Sequence, residues 1–359
     1  MSNVSKVIRP EIQSMHAYPV EDATGLVKLD LMESPYGLPQ ELAAEVGQIV
    51  SRLSLNRYPA PTAHRLRAVI REVMQVPAGC DVLLGNGSDE CIQYITAAVA
   101  SEGATVMAPA PSFAMFSMYA FFFRLRFVGV PLREDFTLDA DAFIATMEKE
   151  RPALVWIAFP NNPTGNAFPV ADIERIVRAA PGLVVLDEAY QPFAGATFMP
   201  RLAEFENMVV MRTVSKIGMA GLRLGYVCGR PEWIEAFNKT RSPFNINVVT
   251  EAVAIKLLEN KKVLDEQSAR VLAERERLRP ELARLPGVTV YPSVANFYLA
   301  RVHGPAGTGN RVFDSLKAQG VLVRNFSGGA PALENCLRLS IGTPEENRIL
   351  VAALREALK

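Results

Sequence analysis

The strongest constraint on this chain is a succession of short, almost wholly apolar runs, each cut off by polar residues and set apart by helix-length segments. Ala153 to Ala158, Leu183 to Leu186, Met208 to Arg212 and Arg223 to Cys228 are of this kind, and Val170 to Ala179 has helical spacing between two of them. Runs without a polar face are buried on both sides, which is how strands read in a mostly parallel sheet covered by helices. Upstream the same alternation predicts a strand over Asp81 to Gly85, a helix over Asp89 to Ala100, a strand over Thr105 to Ala108 and a helix over Ser112 to Phe123.

After Pro243 the character changes. Charged amphipathic helices run from Thr250 to about Leu285. Strands Val288 to Tyr291, Phe297 to Val302, Val321 to Arg324 and Leu337 to Ser340 follow, with helices Val312 to Gln319 and Glu345 to Leu358. A chain of 359 residues exceeds what one core usually organises. The expected division is therefore an N-terminal arm with one helix (1–50, the helix over Gln40 to Leu53), a large domain (51–249) and a smaller α/β domain (250–359).

Composition excludes more than it selects. Lys plus Arg is 38 and Asp plus Glu is 38, so no bulk attraction to nucleic acid or anionic lipid is expected, and any anion site must be local. Cys80, Cys91, Cys228 and Cys336 stand at no metal-ligand or redox spacing, so no metal is expected. Met1 to Pro10 has Lys6 and Arg9 but no apolar segment after them, so no secretory signal is expected and the cytoplasm is the natural compartment. The apolar stretch Phe113 to Phe123 is too short to span a bilayer.

In an open parallel sheet, ligands sit at the carboxyl ends of the strands. After the first strand come Gly85-Asn86-Gly87-Ser88-Asp89-Glu90, which suit an anion at a helix N-terminus or, equally, a plain helix cap. After Ala158 comes Phe159-Pro160-Asn161-Asn162-Pro163-Thr164-Gly165, a rigid turn with two amides or a turn with polar filler. Leu186 is followed by Asp187-Glu188-Ala189-Tyr190, where Asp187 is either a strand-end cap or a buried functional acid. Arg212 leads to Thr213-Val214-Ser215-Lys216. A lysine between Val214, Ile217 and Met219 is either a turn lysine or a desolvated amine fit for Schiff-base formation.

The joint order of these segments, together with Leu55-Asn56-Arg57-Tyr58-Pro59, Ala220-Gly221-Leu222-Arg223 and Leu337 to Thr343, resembles the fold-type I aminotransferases over nearly the whole chain. Within them it is most similar to the histidinol-phosphate aminotransferases. The resemblance implies pyridoxal 5'-phosphate as cofactor, held by Lys216 as a Schiff base, with Asp187 on the pyridine nitrogen and Asn162 and Tyr190 on the 3'-oxygen. It implies Phe113 stacked on the ring, and Ser88, Asp89, Ser215 and Arg223 around the phosphate. Tyr58 would reach that phosphate from a neighbouring subunit, which implies a homodimer. Arg338 and Arg324 would grip substrate anions, with Tyr18 also at the substrate. The implied reaction moves an amino group between L-histidinol phosphate and 2-oxoglutarate.

Two positions depart from the family pattern. The loop from Lys216 to Arg223 is a residue shorter than in many relatives, and Ser34 stands in Met32-Glu33-Ser34-Pro35 where Asn is more usual. Three other enzyme or sensor readings compete: an aromatic amino-acid aminotransferase, a decarboxylase of a phosphorylated amino acid, and a non-catalytic ligand sensor. A plain nucleotide-binding protein would need a glycine pattern that the first strand turn lacks. None of His16, His64 and His303 matches a catalytic position of the family.

Overall fold

The computed structural model describes residues 3–17 and 20–359. Its strands are β1 (Val27–Leu29), β2 (Asp81–Asn86), β3 (Thr105–Ala110), β4 (Arg126–Pro131), β5 (Leu154–Ala158), β6 (Leu183–Asp187), β7 (Met208–Thr213), β8 (Leu224–Gly229), β9 (Val288–Val290), β10 (Phe297–Val302), β11 (Val321–Asn325) and β12 (Cys336–Ser340). The helices are α1 (Val4–Val7), α2 (Pro10–Gln13), α3 (Gln40–Ser51), α4 (His64–Val73), α5 (Ser88–Val99), α6 (Ala114–Phe122), α7 (Ala140–Glu150), α8 (Val170–Ala179), α9 (Gln191–Ala194), α10 (Pro231–Asn238), α11 (Val248–Glu259), α12 (Lys261–Ala283), α13 (Thr308–Ala318) and α14 (Pro344–Ala357).

A seven-stranded sheet has the order β2-β8-β7-β6-β5-β3-β4. Its neighbours are parallel except around β8, which runs antiparallel to both β2 and β7. Every residue of β5, β6 and β7 is buried. Side chains along β5 alternate between two cores, with Val155 and Ile157 on one face and Leu154, Trp156 and Ala158 on the other. Each fully buried aliphatic side chain contributes roughly 1.5–3 kcal/mol. This two-sided burial anchors the centre of the sheet, and with it the strand ends that open on the site.

The second sheet has five strands in the order β1-β11-β12-β10-β9. β1 comes from the segment read as an arm and pairs in parallel with β11, so this part of the N-terminus is built into the small sheet. The packing does not change at residue 250. Val253, Ala254, Leu257 and Leu258 of α11, and Leu264 at the start of α12, belong to the core of the large sheet, whereas Val271, Leu278 and Leu282 of α12 belong to that of the small one. The packing thus passes from one core to the other along α12.

Several elements differ from the sequence reading. β4, an edge strand with Gly129, Pro131 and exposed Arg126, lacks the unbroken apolar run of the inner strands. α4 buries only Leu66 and Ile70 among its charges. α7, capped by Asp139 accepting from the Ala142 N–H, and α10 are likewise additions. Arg223 precedes β8 instead of opening it, because its φ of 50° is left-handed. Among the described residues, no helix is long and apolar enough to cross a membrane.

The ends of β6 and β7 are tied by a buried ion pair. Arg212 Nε and Nη2 donate to Glu188 Oε2 at 2.9 and 2.8 Å, the Phe198 N–H donates to Glu188 Oε1 at 2.6 Å, and Arg212 Nη2 also donates to Thr197 Oγ1 at 2.7 Å. Glu188 is 1% exposed. Removing one partner of such a pair leaves an uncompensated buried charge. Arg212→Met is therefore expected to lower the unfolding free energy by about 3–5 kcal/mol in a denaturant titration, and adding Glu188→Gln is expected to recover much of that loss.

Candidate active site

One cavity of about 770 Å3 lies at the carboxyl ends of the parallel strands, where the small sheet faces the large one. Ser88, Asp89, Phe113, Asn162, Asp187, Tyr190, Ser215, Lys216, Arg223, Arg324 and Arg338 all line it. Residues spread over 250 positions of sequence thus converge on one space because each follows, or closes, a strand that the core holds in place.

The β2–α5 turn offers an anion cradle. α5 starts at Ser88 with Gly87 as its cap and no side-chain cap bond, so nothing from the helix's own cap covers its positive end. Gly225 of β8 lets the turn come close: a Cβ there would stand 2.5 Å from the Ser88 nitrogen. Gly87 has φ +83°, and a Cβ on it would meet Arg223 Nη2 at 2.6 Å. Ser215 and Thr213 share a hydroxyl hydrogen bond of 2.8 Å at the same end of β7. Arg223 Nη2 lies 3.5 Å from an Asp89 carboxylate oxygen, and both side chains are solvent-accessible.

Within the cavity, burial shifts the protonation of Lys216 and of Asp187. Lys216 sits in the short turn after β7, half-buried, with Nζ donating to the Leu31 carbonyl at 2.9 Å and lying 5.7 Å from the centre of the Tyr190 ring. Loss of hydration, reinforced by the Arg338 charge, lowers its pKa from 10.5 to about 8. Asp187 closes β6 and is 5% exposed. Burial raises its pKa from 3.8 to about 7 against the opposing hydrogen bond from the Ala189 N–H. An amine and a carboxyl are thus both drawn toward neutrality across one cavity.

The Asn turn resolves into two roles. Asn161 is wholly buried and structural: its Nδ2 donates to the Pro111 carbonyl and to Thr164 Oγ1, and its Oδ1 accepts from Ser112. Asn162 faces the cavity and donates to Tyr190 Oη at 3.3 Å. Arg338, buried in β12, donates from Nη1 to Asn162 Oδ1 at 2.7 Å and from Nη2 to the Asp30 carbonyl at 2.8 Å, with the Phe297 and Phe326 rings at 5.6 and 5.5 Å. Arg324 is its register partner on β11.

One expected residue, Tyr58, is not among the cavity's lining. Tyr58 is 82% exposed and stacks on Phe244 at 4.9 Å. Tyr18 lies outside the described residues. The sequence reading missed the segment Asp30 to Met32, whose carbonyls hold Lys216, Arg338 and Asn296. Its signal was slight, a three-residue strand followed by Met32 in a left-handed conformation with φ 54°.

A mostly parallel seven-stranded sheet beside a smaller sheet, with lysine and aspartate at adjoining strand ends, defines the fold-type I transferase class. The family model "Aminotransferase class I and II" matches residues 24–354, and the chain belongs to this family. A relative from Cupriavidus pinatubonensis, histidinol-phosphate aminotransferase 2, is 53% identical over 363 residues, covering 100% of this chain and 98% of its own length. Histidinol-phosphate aminotransferase 1 of Burkholderia lata is also 53% identical, over 100% of this chain and 99% of its own. The crystal structure of histidinol-phosphate aminotransferase from Sinorhizobium meliloti in complex with pyridoxal-5'-phosphate superposes with a TM-score of 0.87 at 27% identity, over 98% of this chain and 97% of that one.

The raised Asp187 pKa has a signed consequence for stability. The folded protein without cofactor holds that proton more tightly than the unfolded chain, so stability is lost as pH rises from about 3.8 to about 7. Asp187→Asn is therefore expected to raise the melting temperature of cofactor-free protein at pH 8 and to have little effect at pH 4. Equal shifts at both pH values would mean that the carboxyl is not desolvated.

Proposed function

We propose that the protein is a cytoplasmic, homodimeric pyridoxal-phosphate enzyme that moves the amino group of L-histidinol phosphate to 2-oxoglutarate in histidine biosynthesis, giving imidazole acetol phosphate and L-glutamate. The observation that carries the reading is the meeting of Lys216, Asp187 and an arginine pair in one cavity. Full-length relatives named for this activity, at about half identity, support the choice of substrate.

The residues fit the cofactor. A desolvated carboxyl at Asp187 suits a cationic ring nitrogen, which would draw its proton off and leave the pair charged. The bare α5 N-terminus, the Ser88 and Ser215 hydroxyls and Arg223 suit a dianionic phosphate. When bound, pyridoxal phosphate supplies an aldehyde that condenses with amines and a ring that takes up the electron pair left on the substrate Cα.

The chain's own groups do the rest in this proposal. With a pKa of about 8, roughly a tenth of Lys216 is free amine at pH 7, against well under a thousandth for an ordinary lysine. Lys216 Nζ is thereby a nucleophile, and later a base that accepts the Cα proton and returns it. Asp187 would hold the ring nitrogen's positive charge, Asn162 and Tyr190 would hold the 3'-oxygen, and Phe113 would pack against the ring. Arg338 and Arg324 grip the substrate: a carboxylate in one half-reaction, the phosphate of histidinol phosphate in the other. Tyr58, exposed in a single chain, is free to reach a neighbouring subunit's phosphate. On this reading residues 51–249 form the cofactor-holding unit, and 250–359, with the arm, supply the substrate side.

Apolar lining by Phe113, Met115, Phe326 and Leu333 favours a second reading, an aromatic amino-acid aminotransferase. A panel of amino donors with 2-oxoglutarate separates the two by the rate of glutamate formation. Histidinol phosphate is expected to have the highest kcat/KM, with Lys216→Ala inactive. Replacing Arg338 by Gln, which removes two charge-assisted bonds to a carboxylate, is expected to lower kcat/KM for 2-oxoglutarate on the order of a hundred-fold. Turnover of phenylalanine but not of histidinol phosphate would overturn the first reading in favour of the second.

A further inference from the structure

The turn after β4 contains a residue whose backbone does not suit its side chain. Phe136 is 2% exposed and has φ +64°, a conformation that glycine or asparagine adopts at little cost and a bulky residue does not. The turn around it is tightly specified. The Arg133 N–H donates to the Thr137 carbonyl, the Phe136 N–H to the Arg133 carbonyl, and the Thr137 N–H to Asp135 Oδ1. Strain of this kind persists only where the surroundings over-determine it, and it concentrates near functional sites.

The ring of Phe136 leaves the large sheet and enters the small one. It meets Tyr291 edge-on at 4.7 Å and packs in one cluster with Leu299, Leu333 and Cys336. The guanidinium of Arg301, on β10, lies 5.8 Å from the Phe136 ring centre and 5.6 Å from that of Tyr291. Arg301 Nη2 then donates to the Ala332 carbonyl at 2.6 Å. The next residue, Leu333, lines the cavity, as does Phe326 at the start of the same segment. Phe326 is the residue whose ring stands 5.5 Å from the Arg338 guanidinium.

Phe136 also reaches the opposite wall. Its carbonyl accepts from Asn166 Nδ2 at 2.9 Å, and the Asn166 backbone carbonyl accepts from the Asn161 N–H, which fixes the turn that presents Asn162. One strained residue outside the cavity is therefore bonded or packed to both of its walls.

We propose that Phe136 and Arg301 are positioning residues for the amino donor: they hold segment 326–333 against the cavity and so set the aim of Arg338. The inference rests on the aminotransferase reading for its substrate but not for its mechanics. Neither residue lines the cavity, and the Phe136 carbonyl that holds the Asn166 turn is kept when only the side chain is replaced, so loosening the two side chains changes where the substrate's anionic groups are held without changing the cofactor's own contacts.

Phe136→Ala, Arg301→Met and the double variant test this in full-length enzyme loaded with cofactor, with histidinol phosphate and phenylalanine as parallel donors. KM for the donor is expected to rise about ten-fold in each single variant with kcat within about two-fold and the cofactor's visible absorbance unchanged. The double variant is expected to be no worse than the poorer single, since the two act as one unit. Amide exchange in cofactor-free protein gives a readout independent of activity. Protection of segment 326–335 is expected to drop about ten-fold while β6 and β7 keep theirs. Phe136→Leu and Arg301→Lys, which keep bulk and charge, are expected to fall between wild type and these variants, and they stand in should the smaller residues fail to fold. Unchanged KM, additive losses, or a fall in cofactor absorbance in step with activity would overturn the proposal. If wild-type protein turns over neither donor, the substrate reading fails and the exchange result alone decides whether the latch exists.

Discussion

Lys216 and Asp187 are withdrawn from water at the ends of neighbouring strands, and that shared desolvation is what the rest of the structure serves. In water the amine would be protonated and the carboxyl ionised at neutral pH. Here the first titrates near 8 and the second near 7. Such positions are costly to maintain, and only a stiff scaffold holds them open. Strands β5, β6 and β7, buried over their whole length, supply the stiffness, and the Glu188–Arg212 pair locks the two strand ends beside Asp187 and Lys216. Glu188 shows what the fold does with a buried carboxylate that needs no reactivity: it surrounds it with Arg212, Thr197 and a backbone N–H. Asp187, one residue earlier, keeps a single backbone donor and an open view of the cavity.

The small sheet brings Arg338 to this centre through the chain's own N-terminal segment. β1 adds to the edge of the small sheet, and the residues just after it turn back over Lys216. Ser340 accepts from the Met32 N–H, Asn296 donates to the Met32 carbonyl, and Arg338 donates to the Asp30 carbonyl. The carbonyl of Leu31 is left to hold the lysine. Lysine from one sheet and arginine from the other therefore share one backbone segment, so their separation is fixed by three consecutive residues and not by a long lever across the molecule.

The sequence made the large sheet legible because its inner strands have no polar face, and Asp187 and Lys216 were legible because each interrupts or follows such a strand. The short edge strand β4 and the charged helix α4 were not, since exposed elements carry weaker patterns. Of the adjoining amides, residue type and spacing do not separate Asn161, which is bonded into its own turn, from Asn162, which faces the cavity, and only the family resemblance singles out Asn162. The floor at Asp30 to Met32 acts through backbone carbonyls, which leave no mark in side-chain identity. Helical segments follow one another from α11 into α12 while the core beneath changes from that of the large sheet to that of the small one, a change that side-chain pattern alone does not mark.

The account stands most directly on the protonation of one amine. Reductive methylation of cofactor-free protein with isotope-labelled formaldehyde, followed by an NMR pH titration of the label on Lys216, reads that proton on the residue itself. A midpoint near pH 8, two units or more below the exposed lysines in the same spectrum, is the predicted result. A midpoint coinciding with those lysines would show that the amine is fully hydrated, and the cavity would then have no means of making Lys216 reactive.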